Sequence, residues 1–136
     1  MIKSLFPEEM FSSGGELSIE SVASKLLYFQ EQIHLIHWRT QNNAEHRALG
    51  DLYEFIQDFR DEAVEKLMGY TGRKVDQFKL DPISSTVGHD EIVDNLITYA
   101  HTLMIWARTN QYCDIENIAQ SLSGKAARAK YLLTQS

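Results

Sequence analysis

The sequence predicts an all-α fold, a bundle of four helices, on three observations. Four segments carry apolar residues at steps of three and four, the chain from Pro7 to Pro82 holds no other proline, and the breaks between segments carry turn residues. The 136 residues fit one domain spanning 1–136, with 1–16 as an N-terminal segment ahead of the first helix. Apolar residues make up 43% and charged residues 24%, near globular averages, which excludes a disordered chain or a fibrous repeat.

The first helix is expected from about Leu17 to Gln41, after the turn-forming run Ser12-Ser13-Gly14-Gly15, with Ile19, Val22, Leu26, Phe29, Ile33 and Ile36 on one face. Gln41-Asn42-Asn43 reads as the turn that ends it. The second, from about Glu45 to Met68, places Leu49, Leu52, Ile56, Phe59, Ala63 and Leu67 on its core face and stops at Gly69. Residues 70 to 88, with Gly72, Asp81-Pro82, Ser84-Ser85-Thr86 and Gly88, are expected to form a long connection between helices two and three that either crosses the bundle end or carries a short helix. The third helix is expected from about Asp90 to Gln111 through Ile92, Leu96, Tyr99, Leu103 and Trp106. Asp114 reads as the N-cap of the fourth, because its carboxylate can accept from the open amides of a first turn, and Ile115, Ile118, Leu122, Ala126 and Leu133 follow.

A net charge of −6 argues against a protein that holds DNA through overall positive charge, and Lys125, Arg128 and Lys130 read as surface residues of a helix end. The single cysteine, Cys113, offers no internal disulfide and no cysteine-based zinc pattern. The N-terminus has acids where a signal peptide has none, and no apolar run reaches ~18 residues, so a cytoplasmic protein without a membrane segment is expected.

The polar residues carry the functional signal. At about 100° per residue His37 falls within about 40° of Ile33, inside the apolar stripe, while Glu31, His34 and His37 form a ladder at steps of three. His37 taken alone reads as a hydrogen-bonded core histidine sooner than as a ligand. Leu27 and Trp38 lie beside this flank, outside the core stripe, and call for a second surface. On the second helix His46, Gly50, Glu54, Asp61 and Glu65 share one stripe opposite the core face, with Asp61 and Glu65 one turn apart. Carboxylates with imidazole suit iron, manganese or zinc. The same spacing also describes a solvated helix face, and metal binding there needs histidines brought by another subunit.

The run His34-Leu35-Ile36-His37-Trp38, then His46, then Asp61-Glu62-Ala63-Val64-Glu65 resembles the Dps-type mini-ferritins of the ferritin-like superfamily, with a His-Trp pair on the first helix and a His and a D-x-x-x-E pair on the second. The interval from His46 to Asp61 matches that pattern. The resemblance implies a ferritin-like four-helix bundle and a homo-oligomer: a dimer across the metal site, and a dodecameric shell. It implies a ferroxidase-like activity in which Fe²⁺ is oxidised between His37 and His46 of one subunit and Asp61 and Glu65 of its mate, with ferric iron stored inside. Glu54 and His34 are further candidate metal ligands, and Zn or Mn are alternatives to Fe. Two features depart from the family: the interval from His37 to His46 is shorter, and the acid expected one turn after the second histidine is Gly50. The run H-W-R-T-x-N-x-A-E-H is also similar to short ferritin-like proteins encoded by bacteriophages. That likeness, with Gly50, keeps open a non-enzymatic assembly or partner-binding protein on the same fold. An intra-subunit centre on Glu31-x-x-His34 would need a second such motif on helix three or four, and neither helix has one.

Overall fold

In the computed structural model, which describes residues 17–135, the apolar stripes close on one another as four helices: α1 Ile19–Arg39, α2 Asn43–Thr71, α3 His89–Thr109 and α4 Cys113–Leu133. No strand occurs among the described residues. The expected N-terminal segment and its Ser12 to Gly15 turn lie outside them. The predicted core residues are buried, led by Val22, Leu26, Phe29, Ile33, Leu49, Leu52, Ile56, Leu96 and Leu103, while Ile36, Trp106 and Ile118 sit partly buried at its edge. Tyr99 lies fully buried among them, its ring 5.6 Å from Phe29. No described helix is long and apolar enough to cross a membrane.

Local chemistry sets the helix ends. Ser18 caps α1 in a reciprocal box with Ser21, and the Asn42 side chain accepts from the Glu45 N–H at the start of α2. Two sequence expectations need correction. α2 does not stop at Gly69 but runs on to Thr71, where Gly72 adopts φ 73° and its N–H closes on the Met68 carbonyl. A left-handed residue after the last turn is the usual place for glycine, and Gly69 simply stays helical. Asp114 is not the N-cap of α4, because the helix begins two residues earlier than that cap would set it, with Tyr112 at the cap position and no side-chain cap bond. The Asp114 carboxylate instead pairs with Lys66 on α2, and its N–H donates to the Tyr70 hydroxyl (3.0 Å), so a neighbouring helix satisfies the open amide.

The connection from 72 to 88 decides the topology. Arg73 clamps Glu20 at the start of α1 with both guanidinium nitrogens (2.9 and 2.8 Å). The Lys79 N–H then donates to Ser24 Oγ, Lys25 pairs with Asp81, and the fully buried Gln32 amide donates to the Ser84 carbonyl (2.8 Å) and accepts from the Ser84 N–H (2.9 Å). His89 finally comes within 3.6 Å of Glu45 at the far end. The segment therefore travels the length of α1. It returns the chain to the end where α2 began, so α2 and α3 run in the same direction and each of the packed pairs, α1 with α2, α1 with α3, α2 with α4 and α3 with α4, runs antiparallel.

Candidate metal centre

The turn between α1 and α2 is only three residues long, and it brings His37, in the last turn of α1, against His46, in the first turns of α2. Their rings stack with centroids 3.9 Å apart and planes 18° from parallel. Each ring reaches the other residue's backbone: His37 Nδ1 lies 2.7 Å from the His46 carbonyl oxygen and His46 Nδ1 lies 2.9 Å from the His37 carbonyl oxygen. Helix ends explain part of this arrangement. The carbonyl of His37 falls in the last turn of α1, where no amide four residues on is helical, so the His46 ring supplies its donor. A carbonyl oxygen only accepts, so each Nδ1 carries a proton, and in the neutral form of each ring the lone pair is then on Nε2. Imidazole ligands to metals are commonly oriented in this way, with one ring nitrogen donating to a carbonyl and the other free.

The pair lines one wall of an open cleft of ≈ 350 Å³, together with His34, Gly50, Tyr53 and Glu54. His34 is packed against Trp38 and Tyr53, each centroid 3.9 Å from its own, which makes it a wall of the cleft. Glu54 is exposed at the mouth, two turns along α2 from His46. Glu31 is half-buried and Trp38 stands 66% exposed.

Asp61 and Glu65 are exposed on α2 as the stripe requires. They follow His46 by fifteen and nineteen residues in one continuous helix, about 22 and 28 Å at 1.5 Å per residue. One chain therefore cannot bring them to the imidazoles. Consistent with that spacing, no three His, Cys, Asp or Glu side chains converge among the described residues. What the chain holds is a pair of imidazoles towards one end of α2 and a pair of carboxylates towards the other.

Sequence reasoning placed His37, His46 and Glu54 near one another and missed two partners. Tyr53 lies beside the histidine stripe and reads as an ordinary partly buried aromatic. Gly50 reads as a missing acid, whereas a Cβ built on it would stand 2.8 Å from Cε1 and 3.2 Å from Nδ1 of His37. The room for a side chain is taken by the imidazole itself. The interval from His46 to Gly50, one helical turn, was the available signal.

The fold and site define a four-helix protein with a backbone-locked pair of imidazoles across its first interhelical turn. The chain belongs to a family of unknown function, DUF5856, whose model matches residues 37–133 and thus takes in the histidine pair, Gly50 and the Asp61/Glu65 stripe. No curated protein and no solved structure matches it.

Proposed function

We propose that the protein is a ferritin-like iron protein of the Dps type, which takes up Fe²⁺ as substrate between His37 and His46 of one subunit and Asp61 and Glu65 of a second copy, oxidises it, and stores the ferric product within a homo-oligomeric shell in the cytoplasm. The observation that carries this reading is the reciprocal lock of the two imidazoles. Ring lone pairs lie in the ring plane, and two planes 18° from parallel at stacking distance do not meet at one nearby ion. Each imidazole then serves its own ion, as a two-metal site requires. Zinc and manganese share this donor preference.

Two neighbouring irons suit a two-electron oxidant. Each Fe²⁺ gives up one electron, and one hydrogen peroxide takes both, with two protons, to leave two waters. Carboxylates are needed to balance the ferric charge, and the exposed Asp61 and Glu65 of the partner copy are the pair spaced to converge, one turn apart. Glu54, which lines the same cleft, is the candidate for a further carboxylate ligand in place of the acid that Gly50 lacks.

The test is cross-subunit complementation. Anaerobic Fe²⁺ loading followed by peroxide is expected to give ferric absorbance in the wild type faster than in protein-free buffer, and at no more than the buffer rate in His37→Ala or Glu65→Ala alone. Co-refolding the two inactive variants is expected to restore part of it, because a mixed dimer holds one intact site. Equal oxidation by all forms, or a strictly monomeric protein in light scattering, refutes the proposal.

A second reading, a non-enzymatic assembly or partner-binding protein on the same fold, is favoured by the 66% exposed Trp38 and by the absence, among the described residues, of three converging His, Cys, Asp or Glu side chains. Elemental analysis of protein purified without chelator separates the two, since stoichiometric metal counts against this one.

A further inference from the structure

We infer that Gly50 is a positioning residue: its bare Cα is the seat of the His37 imidazole, and that seat holds the histidine pair in the doubly locked form. The inference deepens the iron reading by naming what orients the site's imidazoles, while it stands on packing that a single protomer shows.

Three observations meet at this residue. A Cβ at position 50 would lie 2.8, 3.2 and 3.6 Å from Cε1, Nδ1 and Nε2 of His37, and these are the three nearest atoms to it. The helical glycines Gly69 and Gly124 have nothing within 4 Å of the corresponding position, so crowding is a property of position 50 and not of glycines in these helices. The His46 carbonyl that accepts from His37 Nδ1 belongs to the same helix, one turn before Gly50. A methyl group there has to lift or turn the ring away from α2, and either motion takes Nδ1 away from its acceptor. Without that acceptor the proton is free to sit on Nε2, which removes the lone pair a metal would need. The stack with His46 and the return bond from His46 Nδ1 to the His37 carbonyl depend on the same ring position. A mid-helix glycine is a poor helix former, and the seat gives this one a physical reason to be where it is.

Gly50→Ala, His37→Ala, the double variant and Gly69→Ala as a control separate this role from a merely structural one. In the full-length protein, above the pH at which imidazole protonates, long-range ¹⁵N–¹H correlation spectra are expected to show His37 and His46 of the wild type as Nδ1–H tautomers. In Gly50→Ala the His37 signal is expected to move toward the Nε2–H form, and Zn²⁺ affinity to fall at least tenfold. Gly69→Ala is expected to change neither. In the His37→Ala background, adding Gly50→Ala is expected to leave Zn²⁺ affinity unaltered and to raise Tm, because alanine then improves the helix with nothing to clash against. That comparison still decides the matter if Gly50→Ala alone proves too unstable for spectroscopy. Unchanged tautomers in Gly50→Ala, or a Tm that falls equally in both backgrounds, overturns the inference. A tautomer change in a protein that binds no metal sustains it and counts against the iron reading instead.

Discussion

Replacing Gln32 by alanine isolates what holds the long connection to α1. Gln32 is 0% exposed, and its amide makes both hydrogen bonds to the backbone of Ser84, at 2.8 and 2.9 Å. Truncation leaves a half-buried N–H and C=O without partners, at about 1 kcal/mol each when taken from the low end of the usual range. The buried methylene removed with the amide adds about 1 kcal/mol. The expected loss is therefore about 3 kcal/mol in urea unfolding followed by far-UV circular dichroism. Lys25→Met, which removes the partly exposed ion pair to Asp81 on the same segment, is expected to cost at most about 1 kcal/mol. Hydrogen exchange locates the effect, with the Ser84 amide losing protection in Gln32→Ala while amides in the middle of α1 keep theirs. A loss below about 1 kcal/mol, or a Ser84 amide that exchanges as in the wild type, would show that the ion pairs and not the buried amide hold the segment.

Acid should act on the opposite end of that segment. The guanidinium of Arg73, hydrogen-bonded to Glu20, holds this carboxyl down at about 2 against an ordinary 4.5. A depressed folded-state value means that the pair contributes above about pH 4.5 and that its contribution fades as pH falls toward 2. Because the pair is solvent-exposed, Arg73→Met is expected to lower stability only slightly at pH 6, a difference that closes on acidification; a gap that widens below pH 4 would contradict the assignment. Tyr99→Phe tests the core. The Tyr99 hydroxyl is buried with no partner among the described residues, and burial pushes its ionisation well above the usual range. Removing it is expected to stabilise the protein by about 1 kcal/mol, and a destabilisation of that size would reveal a buried water or a missing partner.

Much of the fold was legible before any coordinates. The steps of three and four from Ile19 to Ile33 and from Leu49 to Leu67 are periodicities that only a helix converts into a face, and burial follows that face closely. Helix ends were less legible because tertiary partners compete with local chemistry. Asp114 has the side chain of an N-cap, but Lys66 takes its carboxylate and Tyr70 meets its amide. Gln32 gave no hint of Ser84, fifty-two residues away in sequence, since a buried glutamine says only that it has some partner. The candidate site divides along the same line. His37 and His46 were recognisable as residue types at a helical turn, whereas the bonds from each ring to the other's carbonyl depend on how tightly residues 40–42 fold the two helices together.

The sequence by itself determined that four amphipathic helices form and which faces they bury, because those properties are set by neighbours three and four residues away on one helix. It also determined that Asp61 and Glu65 stand about 22 and 28 Å from His46 along α2, since one continuous helix makes that separation a matter of counting. Only the tertiary structure decided that the connection runs back along α1, that position 50 is filled by an imidazole, and that each histidine's Nδ1 faces the other's carbonyl. Each of these depends on an atom-to-atom fit between separate elements, where a few tenths of an ångström decide whether a ring can rest on a backbone, and no periodicity in the chain encodes a distance that short.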